Sequence, residues 1–461
     1  MGIVAKEEYF DEPACEHNGV AKEKKACKTA TPGSATGGCA LDGAYIVLSP
    51  IKDALNIVHA PINCLGNSYN QRTSKALKGK EYYMYGFTTA INENDLIFGS
   101  EYKLKHGITY AFNRFKPKGI FVYNTCVPAL TGEDIESASK ELTVKLKIPV
   151  VPVFSQGFSG NKNLGNKIAG EALFTHIIGK KAPSIDMLED FNINLIGEYN
   201  IKGELFLIKK ALKSIGINVL STITGDSTVE EIMYSYKAEL NVVICSKALV
   251  YLARKMKEKF GIPYIEESFF GMSSTNKAII DIVSAIGNKS LKNKAENYIE
   301  LMTRKTEYEI YEYKKFLTGK KILLYTGGVK SWSLISALND IGIRVIATGI
   351  KKSTEEDKIR IKEFDKNGNI ILLDNGNPVN LIKIAKENDA DLIMAGGRNQ
   401  YTAIKSLIPF LDVNQERLEP YTSYEGMECL ARRIYYEIKT PLFKLLRSAY
   451  ILPRALKSTA F

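Results

Sequence analysis

Short runs of β-branched and aliphatic residues recur along this chain with amphipathic helical stretches between them, and that alternation restricts its fold more than any other feature. The runs are Gly119-Ile-Phe-Val-Tyr, Pro149-Val-Val-Pro-Val-Phe, Ile193-Asn-Leu-Ile-Gly, Ile217-Asn-Val-Leu-Ser-Thr-Ile, Asn241-Val-Val-Ile, Lys321-Ile-Leu-Leu-Tyr, Arg344-Val-Ile-Ala-Thr, Asn369-Ile-Ile-Leu-Leu and Asp391-Leu-Ile-Met-Ala. Most are apolar on both faces, as expected of strands covered by helices above and below, so the pattern predicts an α/β protein built on doubly wound parallel sheets. At 461 residues the chain exceeds one ordinary core. A helical pattern over roughly Thr275 to Leu317 separates the middle runs from the last ones and marks a boundary. Residues 1–38 end in Thr31-Pro-Gly-Ser-Ala-Thr-Gly-Gly and read as a flexible N-terminal arm. The division expected is therefore that arm, a first α/β domain over 39–190, a second over 191–318, and a third over 319–461 with C-terminal helices.

Open parallel sheets place ligands beyond the carboxyl ends of their strands. Cys126, Ser155, Glu198, Gly225, Cys245, Gly327 and Gly396 all fall at or just after such ends. Cys39, Cys64 and Cys126 stand in turn-rich, apolar settings, one thiolate short of the four that a four-iron cluster takes, so a partner chain is expected to supply the fourth. Cys245 ends a different strand and points to a second site. The turn Tyr325-Thr-Gly-Gly-Val-Lys-Ser follows a buried strand and opens a helix, where free N–H groups favour an anion, yet it lacks the spacing of a nucleotide-binding loop.

Other classes are disfavoured. Seven cysteines in a reducing compartment do not form a disulfide framework; Cys429 reads as core, and Cys15 and Cys27 lie in the arm, where Cys27 is a candidate transient ligand. The net charge of +11 is spread along the chain without a nucleic-acid motif, so no nucleic-acid partner is expected; a basic pocket for an anionic cluster would use some of it. No apolar stretch is long enough to span a membrane, and the first residues lack a signal-peptide core, so no membrane partner and a cytoplasmic location are expected. Lys6 stands where a myristoylation signal has Ser or Thr. His17, His106 and His176 lack zinc-site spacing.

The motifs Cys39-Ala-Leu-Asp-Gly-Ala, Leu48-Ser-Pro-Ile-Lys-Asp, Val58-His-Ala-Pro-Ile-Asn-Cys64 and Asn124-Thr-Cys126-Val-Pro-Ala-Leu-Thr-Gly-Glu-Asp resemble the cluster-binding region of the nitrogenase component I superfamily. The resemblance continues through Gly157-Phe-Ser-Gly-Asn-Lys-Asn-Leu-Gly-Asn, Leu195-Ile-Gly-Glu-Tyr-Asn, Tyr325-Thr-Gly-Gly-Val-Lys-Ser-Trp-Ser, Lys352-Ser-Thr-Glu-Glu-Asp, Ala395-Gly-Gly-Arg-Asn and Pro409-Phe-Leu-Asp-Val-Asn-Gln-Glu-Arg. It implies three Rossmann-like domains around a central cluster cleft, a [4Fe-4S] cluster shared through Cys39, Cys64 and Cys126 with a homologous β-like subunit, and a second metal site at Cys245. Within the superfamily the chain is most similar to the α-like scaffold branch, on which an iron–sulfur precursor of the iron–molybdenum cofactor is matured with molybdenum and homocitrate. Asn166 and Asn414 carry that distinction, because the catalytic α subunit has histidines at the matching places.

The same resemblance puts Arg72, Lys162, Lys330 and Lys405 around the cofactor cavity, with Lys162 where the catalytic subunit has a neutral glutamine, Lys330 where it has arginine, and Lys405 at a position associated with the organic acid. His59 matches a position near the interface cluster and is expected to make a supporting hydrogen bond rather than ligate iron. The partners implied are the β-like subunit in an α2β2 heterotetramer, the nitrogenase iron protein, an upstream cluster-making radical enzyme, and apo-nitrogenase as acceptor. The alternative is the α subunit of a nitrogenase-like reductase. A plain α/β binder of an acidic partner, with dispensable cysteines, is a third.

Overall fold

The computed structural model describes residues 38–69, 86–182, 188–244, 249–326, 331–350, 353, 355–365, 368–373, 376–414, 417–443 and 445–446. Among them lie three all-parallel sheets. The first contains β1 (Ala54–His59), β2 (Gly86–Thr88), β3 (Gly119–Asn124) and β4 (Val150–Phe154) in the order β2-β1-β3-β4. The second contains β5 (Asn192–Ile196), β6 (Asn218–Ile223), β7 (Leu240–Val243) and β8 (Tyr264–Glu266) in the order β6-β5-β7-β8. The third is built from β9 (Lys321–Tyr325), β10 (Arg344–Gly349), β11 (Ile371–Leu373), β12 (Leu392–Ala395) and β13 (Phe410–Asp412) in the order β11-β10-β9-β12-β13.

Each order reverses once, between β1 and β3, between β5 and β7, and between β9 and β12, and a reversal of this kind opens a crevice at the carboxyl ends of the two strands. In sequence, Cys64 and Cys126 follow β1 and β3, Glu198 and Cys245 follow β5 and β7, and Gly327 and Gly396 follow β9 and β12. Among the described residues, Cys64, Cys126, Glu198 and Gly396 thus fall at these crevices for a topological reason.

Every apolar run named above forms a strand, but β1, β2, β8 and β13 were not among them. The helical stretch read as continuous from Thr275 to Leu317 is two helices, Met272–Ile286 and Lys289–Leu317. Gly287, at φ +76°, ends the first in a conformation that glycine adopts without strain, and the Asn288 side chain then accepts the Leu291 N–H at 3.1 Å to start the second. None of the described helices is long and apolar enough to cross a membrane.

The chain packs as two compact units. Gly37–Ser268 with Asn276–Ile299 carries the first two sheets. Asp53 helps join them by accepting the Val229 N–H at 2.8 Å, and buried Asp226 meets Lys52 and Lys209 at 3.3 and 3.1 Å. Phe269–Thr275 and Glu300–Phe461 carry the third sheet, whose core includes Leu323, Ala347, Ile393 and Ala403.

Candidate cluster-binding site

Two helices with small residues at their crossing set the position of Cys39. Ala40–Leu48 lies on Lys162–His176 so closely that a Cβ on Gly43 would fall 1.9 Å from the Lys162 carbonyl oxygen, and one on Gly165 would fall 2.0 Å from that of Ala40. Cys39 immediately precedes the first helix, in extended backbone, and forms an antiparallel bridge with Asn161 while the Ala40 N–H donates to Gly160 O at 3.1 Å. This draws Cys39 against the segment 157–161. Cys126 reaches the same segment from β3, as the first residue of the short helix Cys126–Leu130, and its Sγ accepts the Gly157 N–H at 3.1 Å.

Gly157 is the common neighbour. A Cβ there would stand 3.2 Å from Cys126 Sγ, 3.3 Å from Cys39 Cβ and 3.6 Å from Cys39 Sγ. Cys64 comes from the helix Ile62–Tyr69 beyond β1; burial pushes its thiol up, and the nearby Cys126 and Cys39 add to the effect. Cys39 is exposed, Cys64 and Cys126 are half-buried, and all three are free thiols. Among the described residues no three His, Cys, Asp or Glu side chains converge tightly enough for a single metal ion. Two thiols meeting at one glycine, with a third near enough to interact with both and a backbone N–H aimed at sulfur, suit a polynuclear iron–sulfur group, which spreads its ligands over several irons and is tuned by hydrogen bonds to sulfur.

Behind the thiols, the last residue of β1 anchors a polar network. Buried His59 has Nδ1 2.9 Å from Thr89 Oγ1, and Nε2 2.7 Å from Glu133 Oε2 and 2.9 Å from Ser100 Oγ. Ser100 also donates its N–H to Glu133 Oε1 at 3.2 Å, and Thr125 Oγ1 donates to the His59 carbonyl at 2.8 Å, fixing the residue before Cys126. Burial holds the His59 ring below its ordinary pKa, against the opposing pull of Glu133. With both nitrogens engaged by oxygen partners, His59 supports the strand ends that carry Cys64 and Cys126. Sequence reasoning named His59 but missed Gly157 as sulfur donor and Glu133, Ser100 and Thr89 as partners; only the quoted run from Asn124 to Asp134 held a trace of Glu133.

Exposed apolar side chains flank this site in sequence. Ile62 precedes Cys64 by two residues, Leu130 closes the helix begun by Cys126, Phe158 follows Gly157, and Phe98, 85% exposed, lies two residues before Ser100.

The other candidates are spread more widely. Lys162 opens its helix with Nζ 3.8 Å from Asp42 Oδ2, and four residues on, Asn166 has a buried Oδ1 with no partner among the described residues. Ser155 is buried and donates Oγ to Asn124 O at 3.3 Å, and buried Glu198 accepts the Tyr199 N–H at 3.0 Å. In the other unit, Lys405 is exposed at the end of Gln400–Lys405. Asn414, also exposed, donates its N–H to Asp412 Oδ1 at 2.7 Å and packs against Gly396, where a Cβ would come within 3.2 Å of its Nδ2. Cys245, Arg72 and Lys330 lie outside the described residues, as do Gly327 and the arm with Cys15 and Cys27.

Residues 39–439 match the family described as nitrogenase component 1 type oxidoreductase. The chain belongs to this family. It is 47% identical over 445 residues to the nitrogenase iron-molybdenum cofactor biosynthesis protein NifE of Rippkaea orientalis, covering 95% of this chain and 94% of the relative. The protein of the same name from Klebsiella pneumoniae is 41% identical, covering 94% and 96%. Among solved structures, one titled "Nitrogenase Cp1 at pH 5" superposes with a TM-score of 0.82 at 27% identity over 91% of each chain.

Proposed function

We propose that this chain is the α-like subunit of the scaffold on which the iron–molybdenum cofactor of nitrogenase is assembled, and that it is not itself a nitrogen-reducing enzyme. Cys39, Cys64 and Cys126 hold a [4Fe-4S] cluster, with the fourth thiolate from a homologous β-like subunit of the NifN type in an α2β2 heterotetramer. The observation that carries this reading is the meeting of Cys39 and Cys126 at Gly157, where the Gly157 N–H donates to Cys126 Sγ. The space that a Cβ at Gly157 would fill, and the N–H pointing from it to sulfur, fit such a group. An iron–sulfur cluster, when bound, supplies one-electron transfer. The protein's own part is to fix three thiols on strand and helix ends and to brace them through His59, Glu133 and Ser100. Exposed Ile62, Phe98, Leu130 and Phe158 supply apolar surface for the partner that completes the site.

The cargo is a larger iron–sulfur precursor delivered by an upstream radical enzyme and held at Cys245. The family resemblance assigns Arg72, Lys162, Lys330 and Lys405 to an anionic cluster and homocitrate, and puts Asn166 and Asn414 where the catalytic subunit has histidines, which suits a product that must leave. Molybdenum and homocitrate are inserted with the nitrogenase iron protein and MgATP, and apo-nitrogenase accepts the product, in the cytoplasm. The buried, unpartnered Oδ1 of Asn166 agrees with a polar guest at that position.

The test is transfer. The complex isolated from cells containing the upstream enzyme is incubated with iron protein, MgATP, molybdate and homocitrate, then with cofactor-free nitrogenase. Activation that depends on the complex is expected. Activation equal without it, or substrate reduction by the complex at nitrogenase rates, contradicts the scaffold reading.

A further inference from the structure

Three elements of the unit carrying the first two sheets bring aromatic rings together at the surface. The helix Lys162–His176 supplies Phe174, the helix Val250–Phe260 supplies Tyr251 and Phe260, and the turn Ser235–Lys237 supplies Tyr236. Phe260 lies between two of the others, its ring centroid 6.1 Å from that of Phe174 and 5.6 Å from that of Tyr236. A Cβ on Gly179 would stand 3.2 Å from Phe260 and 3.9 Å from Tyr236, so the segment Gly179-Lys180-Lys181 passes the same rings. All four rings are half-buried.

Lysines lie over these rings. Lys259 Nζ stands 4.9 Å from the Phe174 ring centre and 5.2 Å from that of Phe260, Lys255 Nζ 4.9 Å from Tyr251 and 5.4 Å from Phe174, and Lys237 Nζ 5.1 Å from Tyr236. Their charge is poorly balanced. Lys255 pairs with Glu171 at 2.6 Å and Lys181 with Glu230 at 2.5 Å, but Lys180, Lys237 and Lys259 are exposed and have no carboxylate partner among the described residues. The exposed face of Val250–Phe260 adds Arg254 and Lys257, and one carboxylate, Glu258. Seven cations against three carboxylates leave a net charge of +4. An ammonium seated on a ring has already given up part of its side-chain freedom, so it binds an anion at a smaller entropic cost than a lysine free in water.

We propose that this surface docks an acidic segment of a partner protein, whose carboxylates pair with Lys180, Lys237 and Lys259. The excess of positive charge selects a negative partner and speeds its encounter. Single-stranded nucleic acid binds by stacking its bases on open aromatic faces, whereas here the chain's own lysines sit over the rings, so the surface offers charge without a stacking platform. Glu258, on the same helix, would repel a continuous phosphate backbone, while an acidic peptide can leave a gap there. The surface uses none of the cluster thiols and does not depend on the scaffold reading.

The full-length chain, purified with its partner subunit, is titrated with a fluorescein-labelled oligoglutamate peptide, and with oligolysine and oligouridylate of equal length, by fluorescence anisotropy at low and at physiological salt. Saturable oligoglutamate binding that weakens with salt is expected, with oligouridylate weaker and oligolysine not bound. Lys237→Glu combined with Lys259→Glu should weaken oligoglutamate binding by about tenfold or more, since two attractions become repulsions. Lys237→Gln combined with Lys259→Gln keeps long side chains over the rings and should weaken it by about threefold. Lys289→Glu combined with Lys292→Glu makes the same charge reversal at exposed positions of the helix Lys289–Leu317 and should leave binding within about twofold of the parent. Absence of saturable oligoglutamate binding, equal or tighter binding of oligouridylate, unchanged affinity in the glutamine variant, or an equal loss in the two charge-reversed variants would each overturn the proposal.

Discussion

Replacing Gly157 with alanine should separate the cluster site from the fold. Its backbone is not in the left-handed region, so alanine is conformationally allowed, and the effect comes from contact. The new Cβ would meet Cys126 Sγ at 3.2 Å and Cys39 Cβ at 3.3 Å, closer than comfortable packing by a few tenths of an ångström. In metal-free protein the Cys126 sulfur can rotate away and the backbone at Cys39 need shift only a few tenths of an ångström, so the cost should be near the low end for overpacking, about 1 kcal/mol, a melting shift of roughly 2–4 °C. With iron bound, the same sulfurs are pinned and cannot yield. Gly157→Ala should therefore fold, associate with its partner and yet lose the interface cluster, or hold it with an altered EPR spectrum and faster loss to oxygen. Gly43→Ala is the contrast: its Cβ would lie 1.9 Å from a backbone oxygen, so the helices must separate and the fold should fail with the site. Gly157→Ala protein with parental iron content, EPR spectrum and oxygen resistance would refute the placement of the cluster at this glycine.

Alanine at Cys39, Cys64 or Cys126 should each reduce the interface cluster signal while leaving the chain folded, as read by iron content and circular dichroism. Cys245→Ala should keep that signal and abolish retention of the extra iron delivered by the upstream enzyme, because the two sites use different thiolates; equal iron in variant and parent would count against it. Glu133→Gln should weaken the hold on His59 and Ser100 by about 1–3 kcal/mol, visible as a lower melting temperature and a shifted cluster potential. Burial, reinforced by Asp281 and opposed by Lys277 3.1 Å away, raises Glu267 to about 7 from 4.5. Its folded state thus binds the proton more tightly than the unfolded chain, and the stability this gives is complete below pH 4.5 and lost as pH rises through about 7. Glu267→Gln should accordingly melt higher than the parent at pH 8, by the equivalent of at most about 3 kcal/mol, with little difference at pH 4.5. Identical pH profiles would refute this.

Strands with a clear run of aliphatic residues announced themselves in the sequence, even β5 and β6 with their polar residues; β1 was passed over. Ala54-Leu-Asn-Ile-Val-His carries two polar residues, and they are tolerated in a fully buried strand only because Tyr123 donates to Asn56 at 2.8 Å and because Thr89, Ser100 and Glu133 surround His59. Those partners come from other elements, so no local pattern reveals them. β2, β8 and β13 are three-residue edge strands, too short for periodicity to register. The false continuity from Thr275 to Leu317 had a different cause: amphipathic spacing persists across Gly287, and one glycine in a helical pattern is weaker than the turn it makes. At the site, cysteines are chemically conspicuous wherever they stand, so Cys39, Cys64 and Cys126 could be named at once. The Gly157 N–H is a backbone group, and its bond to a sulfur 31 residues away follows only from how Cys39 and Cys126 are brought to one segment.

The most direct test of the scaffold account is iron and sulfide content, with EPR, on this chain purified anaerobically with its partner subunit from cells with and without the upstream cluster-making enzyme. The account predicts a four-iron signal in both preparations and additional iron only when that enzyme is present. Stable, iron-free protein from both would contradict it and leave an α/β protein whose grouped cysteines serve some other end.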